Sequence, residues 1–282
     1  MLHFVCEPTQ APDSVITFDD DVEIEKDTIS YLVKALSYKK TIGAACTLVR
    51  VKNKNKNILT RLQALEYHGF NLSKVADNGF LQGPLVMQGM LVAFRYEALQ
   101  QCGGFTTNHL IEDYDITARL KKLGWEVITT QKTAAWTDIP ESFGQLWRQR
   151  IRWTNGGLRV ITSYLDYLPS IIQDLIGHIS FIFMTAFIIL SFFIPFNAQS
   201  TSLIQLLIIF ALCQFIVSYL FNIVVMFFYE DADVWDWIMR LLLIPEFVYS
   251  NILSWLLIGT YSYFLFRNIT YKIIRKVLSQ DS

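Results

Sequence analysis

Three adjacent carboxylates, Asp19, Asp20 and Asp21, follow the β-rich run Ser14–Phe18. In α/β proteins, ligands bind at the carboxyl ends of the strands. Asp19 and Asp21 are separated by one residue, so an irregular turn could aim both at a hard divalent cation, which prefers oxygen ligands and is shared with substrate phosphates. On its own, the pattern is compatible with a divalent-cation site, but acidic turns are common, and an ordinary polar turn before a helix explains it as well.

A second acidic pair, Glu112 and Asp113, lies just before a predicted helix over 116–123. A carboxylate near the N-terminus of a helix tends to be ionised. Asp113, with Glu112 beside it, could then act as a general base that takes a proton from an attacking hydroxyl. The alternative is that Asp113 or Asp115 only caps the helix.

The third group is Gln149, Arg152 and Trp153, whose spacing of three and four residues places them on one face of a helix. The planar guanidinium of arginine can clamp phosphate oxygens. Tryptophan offers a flat apolar face on which a sugar ring could stack. The alternative is that Trp153 and Arg152 serve only as membrane anchors.

Predicted strands and helices alternate over residues 1–141, and this alternation predicts a largely parallel sheet covered by helices. Asp27 is the predicted N-cap of the first helix. Gly124 follows the last helix as the usual C′ residue. An apolar stretch over 85–94 contains Gly89. The predicted strands are 14–18, 41–51 and 125–130, and the predicted helices are 29–36, 58–70 and 116–123.

Residues 142–170 have a different composition. Ser142 and Gln145 match a capping box that opens a helix. Apolar and aromatic side chains alternate there with arginines, which is typical of a helix lying in the bilayer interface, although a basic surface helix of the preceding domain is the alternative. The arginines are Arg148, Arg150, Arg152 and Arg159.

The last part, residues 171–282, is strongly apolar. The chain of 282 residues is 52% hydrophobic and only 17% charged, and no Asp, Glu, Lys or Arg lies between Leu175 and Tyr229. A membrane-spanning helix needs about 20 mainly apolar residues. We expect about three transmembrane helices, with an interfacial segment that breaks before Pro245. The predicted spans are 171–194, 203–228 and 246–266, and the interfacial segment is 234–244.

Composition also excludes other classes of protein. Disordered, collagen-like and small disulfide-rich proteins do not fit. The net charge of −1 argues against a nucleic-acid partner. The basic residues before the first span predict an integral protein of the cell membrane with a cytoplasmic catalytic face. Three spans would place the tail outside, whereas its basic residues favour the cytoplasmic side, so the side of the tail is left open. The basic tail residues are Arg267, Lys272, Arg275 and Lys276.

In this order, followed by apolar spans, the three groups resemble the motifs of the membrane-bound family 2 glycosyltransferases, which include the cellulose, hyaluronan and poly-N-acetylglucosamine synthases. Asp19 and Asp21 match the DxD motif. Ile111-Glu112-Asp113 is similar to the TED motif, with Ile in place of Thr. Gln149, Arg152 and Trp153 match QxxRW in full. The stretches 62–67 and 88–95 are similar to further family segments.

The resemblance implies a GT-A-like domain that uses a UDP-sugar, with UDP-N-acetylglucosamine expected, and an inverting, metal-dependent transfer to a growing polysaccharide. By this resemblance Asp21 and Asp19 would hold Mg²⁺ or Mn²⁺, Asp19 would also contact the nucleotide, and Asp113, beside Glu112, would be the catalytic base. The resemblance further implies that donor and acceptor are bound by Gln149, Arg152, Trp153 and Gly89.

One departure from the family concerns the segment before Asp19, which is only residues 1–18. Family members carry a nucleotide-reading half there, so we expect a partial GT-A domain over 1–141, a QxxRW interface helix over 142–170, and a transmembrane region with a basic tail over 171–282. A second chain could supply the other half. The alternative function is a catalytically incomplete membrane subunit that docks a partner or polymer. Membrane lipid is a further expected partner.

Overall fold

A computed structural model describes residues 12–106, 111–166, 172–191 and 198–278 of the chain. It divides into two compact units, one formed by Met1–Ser170 with Phe247–Ser282 and the other by Ile171–Glu246. Cys46, Cys102 and Cys213 are free thiols. Cys6 and the start of the first predicted span lie outside the described residues, as does the chain between the first two spans at 192–197.

The first unit alternates strands with helices, which confirms the mixed α/β class. Its strands are β1 (Ser14–Phe18), β2 (Glu23–Ile24), β3 (Ile42–Val51), β4 (Leu91–Arg95) and β5 (Glu126–Thr137). Its helices up to residue 163 are α1 (Thr28–Ser37), α2 (Ile58–Ala76), α3 (Tyr96–Gln101), α4 (Glu112–Lys122) and α5 (Phe143–Ser163).

The five strands form one mixed sheet in the order β1-β4-β3-β5-β2. β3 and β5 are parallel, with Ala45 opposite Ile128. β4 is antiparallel to both β1 and β3, and β2 is antiparallel to β5. The expectation of a largely parallel sheet was therefore wrong. β1, β3 and β5 do share one direction, but β4 is inserted in reverse between β1 and β3.

Helices cover both faces of this sheet, and successive side chains of β3 point alternately into the apolar cluster on each face. Ala44 and Cys46 lie in an apolar cluster that Ile116 and Leu120 of α4 complete. Ala45 lies in the opposite cluster, which contains side chains of α1. Period-two alternation of buried side chains is what a strand packed on both faces requires. The sheet is thus a rigid support whose strand ends can carry a site.

Among α1–α5, two helices start at side-chain caps. The Asn57 and Thr60 side chains form a capping box at the start of α2. Ser142 and Gln145 form the predicted capping box of α5. Asp27 stands at the N-cap position of α1 but makes no side-chain cap bond. α4 begins at Glu112 instead of 116, so neither Asp113 nor Asp115 is its N-cap.

The remaining helices are α6 (Ile172–Ser191), α7 (Ala198–Met226), α8 (Val234–Leu242) and α9 (Ile244–Leu278). Residues 198–202, which lie between the predicted spans 171–194 and 203–228, belong to α7. Within the described residues, no single helix is long and apolar enough to cross a membrane. Val234–Leu242 and Ile244–Phe266 meet that requirement only as a pair, with a bend of 71° between them.

Candidate active site

An open cleft lies where β1 and β5 end and β4 begins, and its cavity volume is about 260 Å³. The shared direction of β1 and β5 brings their carboxyl ends to one edge of the sheet, and the reversed β4 brings its amino end there. All the residues singled out from the sequence as site residues line this one cleft: Asp19, Asp21, Gly89, Glu112, Asp113, Gln149, Arg152 and Trp153.

The aspartate turn forms one wall of the cleft. The backbone N–H of Asp19 donates to the Met90 carbonyl at 2.9 Å, which ties the turn to the segment entering β4. Partial burial raises the pKa of Asp19, and the nearby charges of Asp21 and Glu112 raise it further. These carboxylates repel one another, so a cation placed among them would be stabilised.

Asp113 lies at the base of the cleft in the first turn of α4. The backbone N–H of Tyr114 donates to its Oδ1 at 2.8 Å, and the backbone of Gly89 makes a further hydrogen bond. Burial raises the pKa of Asp113 to about 6, although the charge of Lys74 opposes the rise. A carboxyl group with such a pKa is ionised near neutral pH and still basic enough to accept a proton.

Gly89 permits the close approach of two chain segments at this point. A Cβ atom at residue 89 would lie 2.9 Å from the Asp113 Cβ and 3.4 Å from its Oδ2. Any side chain there would press directly on the carboxylate. The Gly89 backbone therefore fixes the position of Asp113.

Helix α5 also lines the cleft. Gln149, Arg152 and Trp153 face the cleft from successive turns of the helix. The Gln149 side chain hydrogen-bonds to the Tyr67 hydroxyl. Its Oε1 is buried and has no hydrogen-bond partner in the described part of the chain. Arg152 is exposed, so its guanidinium is available to an anionic ligand.

Tyr67 and Asp138 are among the lining residues that were not predicted as site residues from the sequence. Asp138 follows β5 just as Asp19 follows β1. The same strand-end rule would have found it, but the last strand was expected to end at residue 130 rather than at Thr137. Tyr67 gave no such signal, because its place in the cleft depends on how α2 packs beside α5.

The carboxylates suit a metal that is shared with a ligand. No group of three metal-binding side chains is close enough to form a complete cage within the residues that the structure covers. Mg²⁺ and similar ions are commonly held by one or two carboxylates together with substrate phosphates. Asp19 and Asp21, with the crowding that raises the pKa of Asp19, fit this mode of binding.

Residues 14–267 match the family model described as glycosyl transferase family group 2. A poly-beta-1,6-N-acetyl-D-glucosamine synthase of Staphylococcus epidermidis is 28% identical over 158 residues, which are 56% of this chain and 37% of that protein. The synthase of the same name from Staphylococcus aureus strain COL is 27% identical over 150 residues, 53% of this chain and 36% of that protein. The chain thus spans little more than a third of the length of these relatives.

Among solved structures, a mannosyltransferase of Pyrobaculum calidifontis in complex with GDP-mannose and Mn²⁺ aligns with a TM-score of 0.43 and 22% identity, over 55% of this chain and 39% of that one. The family model extends over nearly the whole chain, from β1 into α9. This chain therefore belongs to glycosyl transferase family group 2.

Proposed function

We propose that the chain carries the active cleft of a membrane-bound glycosyltransferase that moves a sugar from a nucleotide-diphospho-sugar onto a growing polysaccharide. The observation that carries this proposal is the meeting of the two aspartates, the Glu112–Asp113 pair and the Gln149–Arg152–Trp153 face in one cleft. Each group supplies a different requirement of glycosyl transfer, and a family of glycosyltransferases contains the chain.

Asp113 is the proposed catalytic base. It would accept the proton of the acceptor hydroxyl as that oxygen attacks the anomeric carbon and the bond to the diphosphate breaks on the opposite face. Attack from the opposite face inverts the anomeric configuration. The burial that raises the pKa of Asp113 to about 6 supports this role, and Glu112 beside it adds to the negative field.

The diphosphate is the proposed ligand of the two remaining groups. Asp21 and Asp19 would hold Mg²⁺ or Mn²⁺ against it, and Arg152 would contact its oxygens from α5. A bound divalent cation neutralises the charge that develops on the leaving group. The buried Gln149 Oε1, which lacks a partner within the described residues, is suited to accept a hydrogen bond from a sugar hydroxyl.

Trp153 and Tyr67 form the proposed acceptor platform. Their ring centroids lie 6.4 Å apart on the α5 side of the cleft. Aromatic faces bind the apolar faces of sugar rings, while neighbouring polar groups bind the hydroxyls. The staphylococcal relatives are named for a β-1,6-linked N-acetylglucosamine polymer. We therefore assign UDP-N-acetylglucosamine as the donor and that polymer as the acceptor.

Membrane attachment is part of the proposal, with the cleft on the cytoplasmic side. Helix α8 supports it because its burial is the reverse of that in a soluble helix. Trp235 and Leu242 are 62% and 58% exposed, whereas Asp236 and Arg240 are buried at 0% and 3%. A helix with apolar side chains outside and charged ones inside is suited to a lipid surface. Arg240 is paired with Glu246.

The test uses the full chain purified in lipid nanodiscs with Mn²⁺, UDP-N-acetylglucosamine and a β-1,6-linked N-acetylglucosamine oligosaccharide. Mn²⁺-dependent binding of the donor is the expected result, and extension of the oligosaccharide, measured by mass spectrometry, is expected when the nucleotide-reading half anticipated from the family resemblance is present. Oligosaccharide binding without donor binding or extension would contradict the proposal, and would instead identify a polymer-docking subunit. Addition of EDTA is expected to abolish the donor binding.

A further inference from the structure

Glu66 of α2 is a buried carboxylate that receives hydrogen bonds from two distant helices. Arg150 Nη2 of α5 lies 2.5 Å from its Oε2, and the Tyr249 hydroxyl of α9 donates to the same oxygen at 2.6 Å. The side chains of Arg150 and Glu66 are only 8% and 17% exposed. Buried charges are paired or hydrogen-bonded in proteins, and removal of one partner of such a pair is strongly destabilising.

Arg150 connects this pair to the cleft. Its guanidinium carbon lies 4.4 Å from the centroid of the Trp153 ring, within the range of a cation–π contact. Tyr67, the residue after Glu66, also packs against Trp153. The indole therefore contacts both Arg150 and Tyr67, and Arg150 is itself held by Glu66.

We propose that Glu66 is a positioning residue for the acceptor platform: it holds Arg150, and through Arg150 it fixes the orientation of the Trp153 indole in the cleft. Tyr249 connects the same carboxylate to the first turns of α9, so the apolar helix and the platform share one anchor. The role of Glu66 in acceptor binding rests on the proposed function, whereas its role in fixing the Trp153 indole does not.

The first measurement reports on the indole directly. The full chain is labelled with 5-fluorotryptophan in nanodiscs, and the ¹⁹F resonance of residue 153 is identified by its absence in Trp153→Phe. Glu66→Gln and Tyr249→Phe are expected to shift or broaden this resonance. Asp166→Asn, which removes an exposed ion pair with Lys122, is the matched control and should leave it unchanged. An unmoved resonance in Glu66→Gln would overturn the proposal, whether or not the chain transfers sugar.

The second measurement separates positioning from simple stabilisation. Glu66→Gln should raise the KM for the acceptor oligosaccharide by about tenfold and leave donor affinity within about twofold, because only the acceptor contacts Trp153. In Glu66→Gln/Arg150→Met no buried charge is left without a partner, so thermal stability should recover while the KM stays raised. Recovery of the KM together with stability would show that the pair is only structural.

The two measurements also distinguish the positioning role of Glu66 from the proposed function of the chain. A wild-type chain that neither binds donor nor extends the oligosaccharide contradicts the proposed function, while a ¹⁹F shift in Glu66→Gln would still support the positioning role. An active wild type with an unchanged resonance and KM in Glu66→Gln would leave the function standing and refute the positioning role.

Discussion

Asp113 combines three features at the scale of a single residue. It lies in the first turn of a helix, it accepts backbone hydrogen bonds, and it is buried enough for its pKa to rise to about 6. The hydrogen bonds and the helix terminus favour the ionised form, whereas burial disfavours it. Burial has the larger effect, so this carboxyl group changes between its protonated and ionised forms close to neutral pH.

Replacing Asp113 with Asn should lower the transfer rate by about a hundredfold or more, since removal of a positioned base has an effect of that order. Donor affinity should be nearly unchanged, because Asn keeps the shape of the side chain. The rate of the wild type should fall as the pH drops below about 6, where Asp113 becomes protonated. Stopped assays across pH would check both effects, and near-normal turnover in Asp113→Asn would refute the assignment.

Asp20, in the same turn as Asp19 and Asp21, provides a matched control for the proposed metal ligands. Asp21 lines the cleft, whereas Asp20, next to it, is not among the lining residues. We expect Asp21→Ala to abolish the Mn²⁺-dependent part of UDP binding, because one of the two proposed metal ligands is lost. Asp20→Ala should retain it. Isothermal titration with and without Mn²⁺ measures both variants, and equal losses would argue against a specific metal ligand.

At the scale of elements, α5 packs against the start of α4 through one glycine. A Cβ at Gly156 would lie 2.3 Å from the Ile111 Cγ1. Ile111 is the N-cap residue of α4 and lines the cleft. The small size of residue 156 therefore sets how closely the helix bearing Gln149 and Arg152 approaches the helix bearing Asp113.

Gly156→Ala should destabilise the chain by about 1 to 3 kcal/mol, the usual result of overpacking a close contact. Ile111→Ala in the same chain should recover much of this loss, because it removes the atoms that clash. Gly144→Ala in the same helix is the control, since only Arg148 Nη1, at 3.8 Å, would lie near its Cβ. Thermal unfolding of the wild type and the three variants measures the effect, and equal destabilisation by the two single glycine substitutions would contradict the packing argument.

The limits of sequence reasoning are also clearest at this scale. Local signals sufficed for β1, whose bounds agree with the prediction, and for the capping box of Ser142 and Gln145. The reversed direction of β4 was not predictable, because pairing depends on distant partners such as Ala93 with Ile16. The start of α4 was placed four residues late because no side-chain cap marks it.

The site was predictable only in part. The types and spacing of its residues indicated a metal site, a general base and a phosphate-binding group separately. Only the resemblance to a family predicted that the three groups belong to one site. No local pattern placed Asp138 in the same cleft, since that depends on the full length of β5. The Glu66–Arg150 pair was equally hidden, because its partners are 84 residues apart and meet only through packing.

At the scale of the whole molecule, membrane attachment can be tested at α8. In a background with Cys6 and Cys213 replaced by Ser, Leu242→Cys should be protected from a water-soluble maleimide in native membranes, because lipid would cover that face. Tyr38→Cys, at a position that is 80% exposed in the α/β unit, should react. Detergent should make both variants reactive. Rapid labelling of Leu242→Cys in intact membranes would exclude a lipid-facing α8.

The reversed strand also has a consequence for synthesis of the chain. In the described sheet β1 pairs with β4, so this pairing, which fixes the turn that carries Asp19 and Asp21, forms only after Leu91–Arg95 has emerged from the ribosome. Helix α5, which also lines the cleft, emerges later still. Such long-range pairing slows folding, because the entropy of chain closure must be overcome before the contacts form. Nascent chains stalled before β4 would therefore lack the pairing that ties the aspartate turn to Leu91–Arg95, and the cleft would be completed only after α5 has emerged.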